Sequence, residues 1–200
     1  MNDTSNGLNT LNGLNGHEFV NLGLPSGTLW ATCNVGATSP EQAGLYFAFG
    51  ETKGFTAEQV EKEERSFDFG SYDASSISAD LTLEQDAAYS YMGGKWRMPT
   101  KAESQELLDN CDVTWVSSYM GKGVAGMLFT SRANGNSVFF PAAGYCSNSF
   151  VRNVGSWGYY WSASWGSSSF AWYFYFNSGY QNLHNFYGYY GMSVRGVCKR

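Results

Sequence analysis

Residues 171–176 read Ala171-Trp172-Tyr173-Phe174-Tyr175-Phe176, and the way this run folds decides the class of the protein. It carries no charge and is dense in aromatic side chains, which suits a pleated strand better than a helix. Strand side chains alternate between faces. Trp172, Phe174 and Phe176 therefore share one face, expected to point into a core. Tyr173 and Tyr175 share the other, expected to point outward, where their phenols reach water or a polar partner. The surrounding segment, Tyr145 to Tyr190, holds 18 Phe, Trp and Tyr residues among 46, and its single charged residue is Arg152. On either side of the strand, Ser164–Phe170 and Tyr180–Tyr190 show no helical or strand period, so both are expected to be surface loops. Loops with this many rings expose an apolar patch, and such patches mark binding sites. Tyr, Ser, Gly and Asn with an occasional Trp is also the composition of antibody paratopes, where rigid rings supply contact area and small polar residues supply hydrogen bonds.

Upstream the pattern is more ordinary. Residues 17–35 contain two strand-like runs around the turn Leu24-Pro25-Ser26-Gly27, and Leu45–Phe49 reads as another short strand. Thr56–Arg65 is acidic and helix-permissive, a solvated insertion. Leu83–Tyr91 suits a short helix. The clearest local signal is Trp96-Arg97-Met98-Pro99-Thr100-Lys101-Ala102-Glu103. Thr100 and Glu103 make a capping box, which predicts a helix over about Lys101–Asn110 with Leu107 and Leu108 facing in. Strand-like runs follow at Thr114–Ser118, Gly126–Ser131 and Ser137–Pro141, with Asn134-Gly135 as a hairpin turn between the last two. A closing strand falls within Ser193–Arg200.

Bulk properties exclude several function classes. Net charge is −5 and no cluster of Lys and Arg exceeds two neighbours, which argues against nucleic acid. No stretch is apolar for long enough to span a membrane as a helix. Residues 1–16, rich in Asn, Gly and Leu, have neither the basic nor the apolar region of a signal peptide and read as a linker or attachment segment. The four cysteines, Cys33, Cys111, Cys146 and Cys198, have no CxxC spacing, so no metal site is expected and buried free thiols are the plain reading. Gly121-Lys122-Gly123-Val124-Ala125-Gly126 matches GxGxxG but runs into a strand, not the helix a phosphate loop needs, so no cofactor is expected. His184 has no carboxylate in its segment, so it reads as a contact residue and not as part of a catalytic triad.

Residues 17–36, 96–103, 134–144, 153–162 and 193–197 together resemble the Fibrobacter succinogenes major paralogous domain and its Bacteroides relatives. The resemblance implies an α+β, C-type-lectin-like fold of the formylglycine-generating-enzyme branch, built from short strands and loops with one or two helices. The domain would span residues 17–200, with a variable C-terminal region over about 145–190. The calcium-binding triplets of sugar-binding C-type lectins do not occur in this chain, and the redox cysteine pair of the enzyme branch has no base near it in sequence, so a binding protein is expected and not an enzyme.

Within that group the chain is similar to the variable proteins of diversity-generating retroelements, in which mutagenic copying at adenines rewrites the 3′ end of the gene. The resemblance implies a fixed frame threaded with exchangeable positions: Trp157, Tyr159, Trp165, Ser167, Ser168, Phe170, Tyr173, Tyr175, Tyr180, His184, Phe186, Tyr187 and Tyr189. It further implies a receptor-binding or adhesion role on a phage tail tip or a bacterial cell surface, with an unspecified protein or glycan as ligand. A fixed-specificity surface domain of the same fold is the alternative. Oligomeric state is left open, since no coiled-coil heptads are present.

Overall fold

The computed structural model describes residues 12–199. Strand β1 (Asn12–Leu14) turns through Asn15-Gly16 into β2 (His17–Val20). Asn15 and Gly16 have φ of 51° and 79°, the pair of positive values that a tight two-residue hairpin turn requires. Residues 1–11 of the expected linker lie outside the described residues; its end forms this hairpin. The Leu24–Gly27 turn closes through Gly27 N–H donating to Leu24 O at 2.9 Å and leads into β3 (Leu29–Asn34). After β4 (Tyr46–Phe47) comes α1 (Ala57–Glu61), capped by Thr56 and Gln59 and solvated except for buried Val60. Asp86 caps α2 (Ala87–Met92), accepting from Tyr89 N–H at 2.9 Å.

Helix α3 (Lys101–Asn110) starts at its capping box: Thr100 Oγ1 accepts from Glu103 N–H at 3.2 Å, and the Glu103 carboxylate accepts from Thr100 N–H at 2.9 Å. That carboxylate also receives both arms of Arg97, at 2.6 and 2.7 Å, and the Thr28 hydroxyl at 3.0 Å. One side chain thus ties the residue before β3, the segment before α3 and the helix start together. Leu107 is fully buried, while Leu108 is half-buried at the core edge.

The remaining elements are strands joined by turns and one 3-10 turn at Tyr119–Gly121: β5 (Cys111–Val116), β6 (Gly126–Ser131), β7 (Ser137–Pro141), β8 (Tyr145–Ser147), β9 (Phe150–Arg152), β10 (Gly158–Ser167), β11 (Phe170–Asn177), β12 (Tyr180–Tyr187), β13 (Met192–Ser193) and β14 (Arg195–Cys198). These assemble as a four-stranded sheet β1-β2-β3-β14, a five-stranded sheet β12-β11-β10-β13-β4, a three-stranded sheet β5-β6-β7 and the ribbon β8-β9. The β10–β11–β12 meander carries the site. One of its faces packs Tyr160, Phe174, Phe176 and Leu183 against Trp30, Leu107, Phe129 and Phe140. The other places Trp161 and Tyr173 against Phe47, Phe49 and Ala163. Arg195 is 1% exposed and crosses between sheets: it donates to Asn34 Oδ1 at 2.9 Å and to the carbonyls of Ala31, Thr32 and Phe139 at 2.7–3.0 Å. Four acceptors and the Phe140 ring beneath it make its burial tolerable without a carboxylate.

Three expectations are corrected here. The α+β C-type-lectin-like arrangement with one or two helices is replaced by a mostly β structure, 40% strand and 16% helix, with several separate sheets and three short α-helices of which the longest has 10 residues. The cause lies in residues 111–198, whose aromatic and β-branched runs nearly all pair as strands. Second, Tyr180–Tyr187 is no loop: all eight residues pair in register with β11, from Tyr180↔Asn177 to Tyr187↔Phe170. Of β12 only Leu183 is buried, so the strand lacks the apolar–polar alternation that betrays strands in sequence; its neighbour imposes the conformation. The third concerns Ser164–Phe170. Here β10 continues to Ser167 through two register irregularities and turns at Ser168, whose φ is 51°, directly into β11. Bulges break the period of two that would have marked it.

Candidate ligand-binding face

The alternation read from residues 171–176 holds, but the exposure does not follow it on every position. Phe174 and Phe176 are core. Trp172, on the same side, is half-exposed at the margin of that core and is roofed by Lys101, whose Nζ lies 3.3 Å from the ring centroid. On the other side Tyr175 is half-exposed, whereas Tyr173 is only 9% exposed. Tyr173 is a correction to the outward assignment. It sits opposite Trp161 on β10 and His184 on β12, and Trp161, anchored through its Nε1 to Phe47 O at 2.8 Å, meets its ring edge-on at 5.9 Å. Burial raises the Tyr173 phenol well above the usual tyrosine range.

Directly opposed residues in antiparallel strands project to the same face. That face therefore carries Trp157, Tyr159, Tyr173, Tyr175, Tyr180, Asn182, His184 and Phe186. The rings form a connected set: Trp157 lies 6.0 Å from both Tyr159 and Tyr175, Tyr159 lies 6.4 Å from Tyr175, and all three planes are within 21° of parallel. Tyr175 continues to Tyr180 at 5.6 Å, and Tyr173 to His184 at 6.3 Å. Burial is the main reason that the Tyr175 phenol is raised to about 12, with the Tyr180 phenol beside it acting in the same direction.

A second group follows at the end of β12. Phe170 and Tyr187 are 4.5 Å apart, Phe186 stacks on Tyr190 at 5.1 Å, Tyr187 on Tyr189 at 5.2 Å, and Tyr189 meets Tyr190 at 4.7 Å. Phe170 and Tyr187 are on the opposite side of the sheet from Tyr173 by strand parity. Tyr145 on β8 links the groups, 5.0 Å from Tyr159 and 5.6 Å from Tyr190. Neither Tyr145 nor Tyr190 was among the sequence candidates; only the pairing of β8 beside the meander brings them in, though both stand at the ends of the aromatic segment. Trp165, Ser167 and Ser168 lie apart at the β10–β11 turn. Trp165 is pinned there, its N–H donating to Asp80 Oδ1 at 2.8 Å and its Nε1 to Ser168 O at 3.3 Å.

Strand β12 is the outer strand of its sheet, and its own side chains cover part of the open edge. Asn182 Oδ1 accepts from Leu183 N–H at 2.8 Å, and His184 Nδ1 sits 2.6 Å from Asn185 O, a contact that requires the proton on Nδ1. An edge covered in this way is less ready to add a further strand.

All four cysteines are free. Burial raises the thiols of Cys111 (to about 11), Cys146 and Cys198, which keeps them protonated and poorly nucleophilic at neutral pH. Among the described residues no group of three His, Cys, Asp or Glu side chains is arranged to hold a metal, and no helix is long and apolar enough to cross a membrane. A cleft of roughly 550 Å³ lies elsewhere, between β3 and α2, lined by His17, Thr32, Cys33, Asn34 and Tyr91 among others; no candidate position reaches it.

Residues 124–197, which include the whole meander, match a family described as a domain of unknown function (DUF8237). No curated protein and no solved structure matches the chain, so the lectin arrangement gains no support from a structural neighbour.

Proposed function

We propose that this chain is a ligand-binding protein, not an enzyme, whose contact surface is the part of the aromatic face of β10, β11 and β12 left open beyond the buried Trp161–Tyr173 cluster, together with residues 186–190. The observation that carries this reading is the connected series of ring contacts Trp157–Tyr159–Tyr145–Tyr190–Tyr189, joined by Tyr180 through Tyr175 and by Phe186 through Tyr190, with Tyr180 and Phe186 46% and 39% exposed. Contiguous apolar patches of this kind are uncommon on surfaces that bind nothing, and phenol hydroxyls let the same rings hydrogen-bond as well as stack.

The layering also suits a diversified surface. Exchange of the outer side chains leaves the Tyr160, Phe174 and Phe176 layer beneath them in place. We infer that adenine-directed copying supplies the variation and that the protein acts in receptor binding or adhesion on a phage tip or a bacterial surface. One observation favours a fixed-specificity glycan- or protein-binding face instead: Asp, a common product of such copying, is absent from residues 145–190.

Sequencing the DNA that flanks the gene separates the two. Diversification requires a near-copy of the 3′ end, differing only where the copy has adenine, with mismatched codons at exposed or half-exposed positions such as Trp157, Tyr175, Tyr180, His184 and Tyr187. Absence of a repeat leaves the fixed-specificity face. A repeat whose mismatches fall on Tyr160, Phe174 and Phe176 refutes the assignment of the contact face.

A further inference from the structure

The chemistry of the partner follows from the distribution of charge around this face, an inference that rests on the binding reading above. All 17 carboxylate side chains lie in residues 1–112, and none occurs from 113 to 200. Arg152 stands on β9 directly opposite Tyr145, the residue that joins the two ring groups, so both side chains leave the ribbon on one side. It is exposed, and among the described residues no carboxylate lies within ion-pair distance of it. Its guanidinium instead lies 5.4 Å from the ring of Phe150, itself 60% exposed. Of the other described cations of this half, Lys122 pairs with Glu41, Arg132 with Asp112 and Arg195 is buried among carbonyls, while Lys199 is exposed just after β14. Burial raises the Tyr190 phenol, and the Arg152 charge weakly opposes that rise.

We propose that the aromatic face docks a protein surface and that Arg152, at its rim, pairs with a carboxylate of that partner. Tyr, Trp and Phe with one Arg, and without Lys, Asp or Glu, is the composition of the centre of a protein–protein interface. Trp, Tyr and Arg are also the residues whose truncation costs most there. The face is an open sheet surface, whereas small ligands are enclosed in cavities. Docking over the rings strips water from Arg152, and a desolvated guanidinium needs acceptors in its place. Although acidic α1 packs against β9, no described carboxylate pairs with Arg152, and a partner carboxylate would bond its guanidinium about twice as strongly as neutral carbonyls.

The test uses immobilised synthetic peptides in three series, identical except for a central Glu, Gln or Lys flanked by apolar residues, with polygalacturonate as an acidic polysaccharide control. The wild-type chain is expected to retain the Glu series roughly tenfold over the Lys series, the size of a modest charge pair. Arg152→Gln should erase that preference and Arg152→Glu should reverse it, while Tyr175→Ala should weaken retention of all three series alike. Retention without charge preference, still weakened by Tyr175→Ala, overturns the role of Arg152 and leaves the binding face standing. Retention that neither Tyr175→Ala nor Arg152→Gln alters overturns both. If no peptide is retained, or polygalacturonate alone is, the partner is not a protein.

Discussion

Replacing Tyr173 and Tyr175 by alanine, one at a time, separates the core from the contact face within a single strand. The two residues are two positions apart, on the same side of β11, with ring centroids 5.4 Å apart. Tyr173 is 9% exposed and sits in the cluster of Trp161, Phe47 and Phe49. Removing a buried aromatic ring costs about 3–5 kcal/mol, as lost transfer free energy plus the cavity left behind. Tyr173 belongs at the lower end, about 3 kcal/mol, because its cavity adjoins the half-exposed Tyr159 and Tyr175, which can lean into it. Tyr175 is open to solvent on one side, and its loss should cost about 1 kcal/mol, the usual size for a partly exposed site. Urea titration followed by fluorescence of the seven tryptophans reads the difference. With an m-value of about 3 kcal/mol/M, the upper end of the range for small proteins, the Tyr173→Ala midpoint should fall by about 1 M and that of Tyr175→Ala by about 0.3 M. Equal shifts, or a Tyr173→Ala midpoint within 0.3 M of wild type, would refute the view that β10–β11 packing buries Tyr173 and leaves Tyr175 as a contact residue.

Two further predictions concern the scaffold. Burial alone would raise the Glu103 carboxyl, but the Arg97 fork, Thr100 N–H and the Thr28 hydroxyl outweigh it and hold the group at about 2 against an ordinary 4.5. A depressed carboxyl contributes its full stability above the ordinary value and loses it as pH falls toward 2. Glu103→Gln should therefore cost about 3 kcal/mol at pH 7, and its stability gap to wild type should narrow between pH 4.5 and 2; a gap that stays constant with pH would show that the pairing does not shift the carboxyl. Gly144 has φ of 68°, and a Cβ there would run into the Arg152 carbonyl oxygen. Gly144→Ala should destabilise the chain by about 2 kcal/mol or more in the same titration and release the β8–β9 ribbon, detected as faster amide exchange at Cys146; unchanged exchange would argue against the close approach.

Much of the scaffold was legible because it is specified locally. The helix Lys101–Asn110 was readable from Thr100 and Glu103 alone, since a capping box satisfies backbone donors within four residues. Strands β6 and β7 were readable because apolar runs flank Asn134-Gly135. The turn at Asn15-Gly16 carried the same dipeptide signal but lay inside a segment whose composition resembled a linker. The composition of the aromatic segment suggested the binding surface proposed above, but its shape was not legible. Nothing between Tyr180 and Tyr187 marks a strand, because an edge strand with one buried residue has no period to detect. Tyr145 and Tyr190 lay outside the candidate set because Tyr145, on the β8–β9 ribbon, meets Tyr159 and Tyr190 only in three dimensions.

By itself the sequence determined where helices start, where hairpins turn, which face of residues 171–176 is apolar, and that residues 113–200 carry no acid. Each of these is a property of neighbours along the chain or of residue counts. Tertiary structure alone decided that β12 pairs with β11, that Tyr173 is buried while Tyr175 is open, that Trp172 lies under Lys101, and that the strands form separate sheets in place of the lectin arrangement. Those outcomes depend on which distant residue fills the space beside each side chain, as Trp161 does for Tyr173. Burial is set by packing between strands, and an alternation of side chains names a face without saying what will cover it.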